Sequence, residues 1–287
     1  MGEGVGTHWP HGHYYSPVVD PGPDVRAYWE REQRTLPDGL HGIPLSLPGM
    51  VAFWAEHAEF LLAHPFPDQP SLEQPGTTRF HNENGAFPGG DAVFLGAVLR
   101  AFRPRRIIEV GSGHSTAAML DWRDRLGLDA LHITCIEPAP ARLHALLRPG
   151  DPVTVLPHPV QAVSLDLYRG LQAGDVLFID STHVLKTGSD VHFELFHILP
   201  ILAPGVIVHF HDCDYPFEYP AEAVFKMNFS WNEAYAVRAF LMFNRAFRVL
   251  FWNSMFHRLG PPGARAQLDT LSRNPGGGLW IVRTEHQ

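Results

Sequence analysis

Three groups of residues in this sequence have the types and spacing to do chemistry. The first is the run Glu109-Val110-Gly111-Ser112-Gly113-His114-Ser115, which closes an apolar stretch and opens a helical one. Glycines at such a junction let the backbone approach a ligand closely and aim free N–H groups at it. The second is Glu137, at the end of the next apolar stretch. A carboxylate there is placed to accept hydrogen bonds from both ribose hydroxyls of a nucleoside. The third is a histidine–aspartate cluster. Asp180, His183 and Lys186 follow one apolar run, and His209, His211 and Asp212 close another. Alternation along that second run puts Ile207, His209 and His211 on one face. Asp180, His209, His211 and Asp212 together are enough for a divalent metal site, and imidazole ligands favour Mn, Fe, Co or Zn over Mg.

These residues need a scaffold that brings them to one edge. Residues 1–45 read as an irregular arm with one short helix near Asp24–Gln33, and 48–64 as an amphipathic helix. Pro65, Pro67 and Pro70 end that helix, and a new one starts at Asp91, read as its N-cap, and runs to about Phe102. The boundary between an N-terminal arm with a helical cap (1–88) and the main domain (89–287) is placed there. After Pro104 the pattern alternates. Strands are expected at 105–110, 131–138, 152–157, 175–180, 205–212, 247–253 and 278–284, with helices at 115–126, 140–147, 162–171, 189–202 and 232–244. Continuous apolar strands alternating with helices indicate a parallel sheet covered on both faces. Only 264–272 carries a helical pattern between the final two strands, so the last strand is expected antiparallel beside its predecessor. Strands 175–180 and 205–212 are expected to be neighbours, which opens the histidine–aspartate cluster onto a single cleft.

Two nucleoside cofactors compete for the glycine turn. Dinucleotide-binding folds want G-x-G-x-x-G, but Thr116 sits at the third glycine position. Glu109 would also repel a pyrophosphate and suits the cationic end of a ligand. At this point the sequence resembles class I S-adenosylmethionine-dependent methyltransferases, whose first motif is an acidic residue followed by x-G-x-G. Glu109, Gly111 and Gly113 match it, Ser115 stands at the family's third glycine, and Glu137 corresponds to the ribose-binding acidic residue. The resemblance covers roughly residues 90–284 and implies a Rossmann-like α/β fold with seven strands, the last antiparallel. It implies S-adenosylmethionine contacts from Glu109, Gly111, Ser112, Gly113, His114, Ser115, Glu137 and Asp180.

Within that family the chain is similar to metal-dependent small-molecule O-methyltransferases, whose Asp at the end of strand four and acidic pair after strand five match Asp180 and Asp212. Two positions depart. The third metal ligand of the catechol-type enzymes, Asn, is Cys213 here, and their base Lys is His183. A further likeness is to bacterial methyltransferase-like proteins found with polysaccharide and natural-product genes. It is carried by IDSTHVLKTGSDV (179–191), HDCDYPFEYP (211–220), WNEAYAVRAF (231–240) and an N-terminal YYSPVVD (14–20).

Composition sets outer limits. The 287 residues carry 22 Lys and Arg against 30 Asp and Glu, for a net charge of −8. An acidic chain without a basic run argues against nonspecific binding to nucleic acid or an anionic membrane. Eighteen histidines stand beside two cysteines, Cys135 and Cys213, which match no zinc or disulfide pattern. Only two basic residues are Lys, Lys186 and Lys226, so a GC-rich genome accounts for much of the histidine. No transmembrane stretch is visible, and the first residues lack the basic and apolar regions of a signal peptide, so a cytoplasmic protein is expected.

The functional expectation is metal-assisted methyl transfer from S-adenosylmethionine to a hydroxyl of a small-molecule acceptor, a sugar or a secondary metabolite. His183 or Lys186 is the expected base, and a homo-oligomer is left open. Two alternatives stand beside it: a non-haem metal enzyme using a His/His/Asp site without methyl transfer, and a non-catalytic nucleoside-binding module. Glu218 and Tyr219 are expected to close the cleft as a lid, and His11, His13, Tyr14 and Tyr15 to form an aromatic-polar arm.

Overall fold

The structure is a computed structural model that describes residues 8–34, 40–70 and 77–285. The signal-peptide expectation falls largely on residues 1–7, outside the described residues. Seven strands form one sheet: β1 (Arg106–Val110), β2 (His132–Ile136), β3 (Val153–Leu156), β4 (Val176–Ile179), β5 (Ile207–Phe210), β6 (Phe247–Trp252) and β7 (Leu279–Arg283). Their order is β3-β2-β1-β4-β5-β7-β6. The first five run parallel, and β7 lies antiparallel between β5 and β6. Chain order reverses at β1, which pairs with β2 on one side and β4 on the other. That reversal opens a crevice beyond the carboxyl ends of β1 and β4. The sheet is thus Rossmann-like, as expected, with one refinement. The last strand inserts beside β5 as well as beside its predecessor.

Ten helices accompany the strands among the described residues: α1 (Pro23–Arg34), α2 (Leu47–Ala63), α3 (Gly89–Phe102), α4 (His114–Leu126), α5 (Ala141–Leu146), α6 (Leu165–Arg169), α7 (Asp190–Phe193), α8 (Glu233–Leu241), α9 (Asn253–Leu259) and α10 (Pro262–Leu271). The central strands are buried along their whole length, which explains their lack of polar alternation. The α2 helix lies against α3, α9, α10 and β6. Its Trp54 ring centroid is 5.7 Å from that of Phe94 and 5.6 Å from that of Phe256, so one core runs across residue 88.

Four local expectations change. Asp91 is not the N-cap of α3: Pro88 holds that position, and Asp91 points inward, fully buried. The helix expected over 189–202 is three pieces, α7, a π-helical turn Glu194–Ile198 and a 3₁₀ turn Leu199–Ile201. Pro200 accounts for the break, since it has no N–H to give and its ring crowds the carbonyl four residues back. The helix expected over 162–171 shortens to α6, capped by Ser164, whose Oγ accepts from Asp166 N at 3.3 Å. The α9 helix was not expected at all.

Candidate active site

The glycine turn leaves β1 at the crevice. Gly111 has φ +76°, and a Cβ there would lie 1.8 Å from the Asp180 carbonyl oxygen, so only glycine fits. Its N–H donates to Ile136 O at 3.0 Å, which ties the turn to the end of β2. Glu137, just past β2, accepts from Ser112 N at 3.2 Å through Oε2 and from Ala139 N at 2.8 Å through Oε1. These bonds fix the carboxylate while lone pairs on both oxygens remain for a ligand.

Glu109 does something other than expected. It is fully buried and bonds Ser115 Oγ at 2.6 Å, Thr116 Oγ1 at 2.5 Å and Cys135 Sγ at 3.3 Å. Burial pushes its pKa up to about 7 against the pull of those hydroxyl donors. Glu109 therefore braces the turn from behind, and Ser115 is turned toward it.

Two cavities share this wall. A cavity of about 270 Å³ is lined by Gly111, Ser112, Gly113, His114, Glu137 and Arg142 among others. A cavity of about 500 Å³ runs past Glu137, Pro138, Val160, Asp180 and Lys186. Gly111, Glu137 and Asp180 line both. Beside them, the buried Ser112 Oγ and His114 Nδ1 have no hydrogen-bond partner among the described residues. Buried polar atoms are rarely left so unless a ligand or water completes them. Burial, with His81 and Arg142, lowers the pKa of His114, and the His81 ring lies 6.0 Å away.

The histidine–aspartate cluster assembles in an unexpected way. His183 Nδ1 lies 2.8 Å from Glu233 Oε2, and its Nε2 lies 3.6 Å from Asp180 Oδ1 and 3.8 Å from Asp212 Oδ2. Burial opposes its charge, but Asp180, Glu233 and Asp212 outweigh burial and raise its pKa to about 10. Burial likewise pushes Asp180 up, yet His211, His183 and Arg142 hold it below the usual carboxylate value. His183 (φ +60°) and Asp212 (φ +49°) both sit in the left-handed region. Such backbone persists only where its surroundings over-determine it. Here the N-terminus of α8 does so: Asn232 N and Glu233 N donate to His183 O at 3.0 and 3.1 Å.

His209 and His211 share a face, with ring centroids 5.8 Å apart, but only His211 approaches an aspartate of the expected set. His209 is fully buried between Phe178 (4.0 Å) and Trp280 (4.3 Å), and burial drives its pKa well down. The two nitrogens of His211 face different carboxylates, Asp91 at 3.8 Å and Asp212 at 3.6 Å. Burial opposes the charge of His211, but Asp180, Asp212 and Asp91 raise its pKa to about 9. Among the described residues no three His, Cys, Asp or Glu side chains form a group able to hold a metal. Of the expected set Asp180, His209, His211 and Asp212, His209 is a core residue enclosed by Phe178 and Trp280, and His211 lies against Asp91 and Asp212.

Three carboxylates of this neighbourhood escaped the sequence. Glu233 orients His183. Asp91 accepts from Gly277 N, Gly278 N and Asn253 Nδ2 (2.6 Å) behind His211. Glu194, in the π turn and fully buried, accepts from Ser181 Oγ at 3.1 Å. A charged residue inside an apolar helical run was the one visible signal, and Asp91 in GGDAVFLG shows it best. Tyr219 is no lid: it is buried and its hydroxyl accepts from Ala234 N at 2.9 Å. In the arm, His13 stacks on Trp9 at 4.2 Å while Tyr14 and Tyr15 are exposed.

A family model described as a methyltransferase domain matches residues 108–213, from inside β1 to just past β5. Over those residues the chain is similar to that family. A protein of Archaeoglobus fulgidus, described only as uncharacterized, is 27% identical over 176 residues, covering 58% of this chain and 76% of that one. Among solved structures, the S-adenosylhomocysteine-bound methyltransferase PaMTH1 of Podospora anserina is 18% identical, with 98% of this chain and 100% of that chain covered at a TM-score of 0.43. The plantazolicin methyltransferase BpumL in complex with S-adenosylhomocysteine is 13% identical, covering 69% and 85% at 0.43. The fold is read from the strand order itself. No helix among the described residues is long and apolar enough to cross a membrane.

Proposed function

We propose that this chain transfers the methyl group of S-adenosylmethionine to a hydroxyl of a small-molecule acceptor. The observation that carries the proposal is the convergence of the Gly111–Ser115 turn, Glu137 and Asp180 on one pair of cavities. The unpartnered Ser112 Oγ and His114 Nδ1 and the side-chain-free Gly111 fit a nucleoside amino acid lying across that wall. The cofactor supplies an electrophilic methyl on a sulfonium.

Each residue then has a role. Glu137 accepts from the ribose hydroxyls. The turn from Gly111 to Ser115, braced by Glu109, lets the backbone come close. Asp180, held ionised, sets a negative charge beside the cationic end of the cofactor. His183 Nε2 faces the gap between Asp180 and Asp212 and is the atom assigned to take the acceptor proton as the oxygen–methyl bond forms and the sulfur–methyl bond breaks. Glu233 is its positioning residue. Lys186 lines the larger cavity and is the second candidate base. No step is routed through a divalent metal, because His209 is enclosed by Phe178 and Trp280 and His211 is directed at Asp91 and Asp212. The test is incubation with methyl-labelled S-adenosylmethionine and a mixture of hydroxylated metabolites. Mass spectrometry should show one product heavier by a single methyl, and its absence with every acceptor class would contradict the proposal.

A further inference from the structure

The cavity of about 270 Å³ at the glycine turn is lined by two carboxylates, Glu137 and Asp180, and by one guanidinium, Arg142. The proposed roles of the site use both carboxylates and leave Arg142 without one. Arg142 is the second residue of α5 and stands exposed at the rim. Its stem crosses the turn, since a Cβ on Gly113 would lie 3.3 Å from Arg142 Cδ. Among the described residues its guanidinium forms no ion pair. Its charge still reaches both sides of the cavity. Against burial, it joins His211 and His183 in holding Asp180 below the usual carboxylate value. With burial and His81, it lowers the pKa of His114.

His114 lines the same cavity with a buried Nδ1 that has no partner among the described residues. The His81 ring stands nearly edge-on to it, at 6.0 Å and 76°, and His81 Nδ1 is also buried and unpartnered. A neutral imidazole has one N–H to give. The 13-residue helix α4 begins at His114, so the positive end of its dipole adds to the same wall. The guanidinium and the imidazole N–H are donors. The ribose hydroxyls that Glu137 accepts, and the sulfonium that Asp180 faces, have no need of them. They suit an anion small enough to share the cavity, and a nucleoside amino acid carries one, its α-carboxylate.

We infer that Arg142 and His114 bind the α-carboxylate of the cofactor, so that tight binding requires the amino-acid end and not the nucleoside alone. This rests on the methyl-transfer proposal for the identity of the ligand. Neither residue belongs to the acidic-x-G-x-G pattern or to the ribose-binding carboxylate. Without their contact the wall would favour the opposite preference. A ligand that lacks the carboxylate and keeps its ammonium meets Glu137 and Asp180 with a net positive charge. Calorimetry of the full chain with S-adenosylhomocysteine and its decarboxylated analogue, which keeps the nucleoside, the sulfur and the amine, decides between them. S-adenosylhomocysteine should bind roughly tenfold tighter or more, the worth of one charge-assisted hydrogen bond. Arg142→Met and His114→Phe should each weaken S-adenosylhomocysteine about five- to tenfold and change the analogue less than about twofold, because only the first ligand has the carboxylate. Unchanged binding of the analogue also reports that the variants are folded. An analogue that binds as tightly as S-adenosylhomocysteine, or variants that weaken both ligands alike, would overturn the inference and leave the methyl-transfer proposal standing. Failure of both ligands to bind the native chain would overturn the two together.

Discussion

At the scale of single residues, Gly111 and Glu137 carry the cofactor side of the account. A Cβ on Gly111 would lie 1.8 Å from Asp180 O, a backbone atom that cannot swing away. Gly111→Ala should abolish S-adenosylhomocysteine binding while the far-ultraviolet circular dichroism stays native-like. Glu137→Ala should weaken that binding at least tenfold, since even one hydrogen bond to a charged group is worth about 1.5–3 kcal/mol. On the acceptor side, His183 acts as a base only when neutral, and its pKa is raised to about 10. The log of kcat/KM should therefore rise with pH toward that value. Glu233→Gln removes a carboxylate that raises it, so the rising limb should move to lower pH. An unmoved limb would show that Glu233 has no hold on the titrating group. The glycine turn, Glu137, Asp180 and His183 were legible because each stands at the end of an apolar run. Asp91, Glu194 and Glu233 were not, because they reach the site from helices whose packing no local spacing reveals. His209 misled for a related reason: alternation gives its face but not the Phe178 and Trp280 rings that enclose it.

At the scale of elements, two fastenings hold the site's surroundings. The N-terminus of α8 clamps the turn after β4, with Asn232 Oδ1 accepting from Leu185 N at 2.6 Å and the backbone of 232 and 233 holding His183 O. On the other flank, the segment entering the 80–88 loop is pinned to α4 by Arg79. Its guanidinium pairs with Asp121 (2.9 Å), Asp124 (2.9 Å) and Asp151 (2.5 Å), with 6% of the side chain exposed. Removing the cation strands two buried carboxylates, so Arg79→Met should cost about 3 kcal/mol in urea unfolding. A loss under about 1 kcal/mol would mean that the network contributes little. Strands β1 to β5 were legible from their unbroken apolar runs. The stretch 189–202 reads as one helix in the sequence because apolar periodicity survives through a π turn and a 3₁₀ turn, whereas the hydrogen bonds that Pro200 displaces leave no mark on that pattern.

At the scale of the whole molecule, the chain is acidic, with a net charge of −8, and the carboxylates around two buried imidazoles raise their pKa values. Both His183, near 10, and His211, near 9, lie above the ordinary histidine value of 6.5. The folded state then binds more protons than the unfolded state between those limits. The stabilisation is complete below about 6.5 and is lost as pH rises toward 9–10. Urea midpoints should fall across that window, and fall less in His183→Gln; a flat profile would show that the imidazoles are neutral in the fold. The seven-stranded order was largely legible, because strand–helix alternation admits few topologies. The insertion of β7 between β5 and β6 follows from a connection that contains α9, a helix too short to announce itself by periodicity. The central claim is that the crevice at the β1/β4 reversal is a cofactor site built on the glycine turn and Glu137. Calorimetry with S-adenosylhomocysteine tests it most directly. Saturable one-to-one binding that Glu137→Ala weakens at least tenfold is the predicted result; no binding to the native chain, or binding indifferent to Glu137, would contradict it.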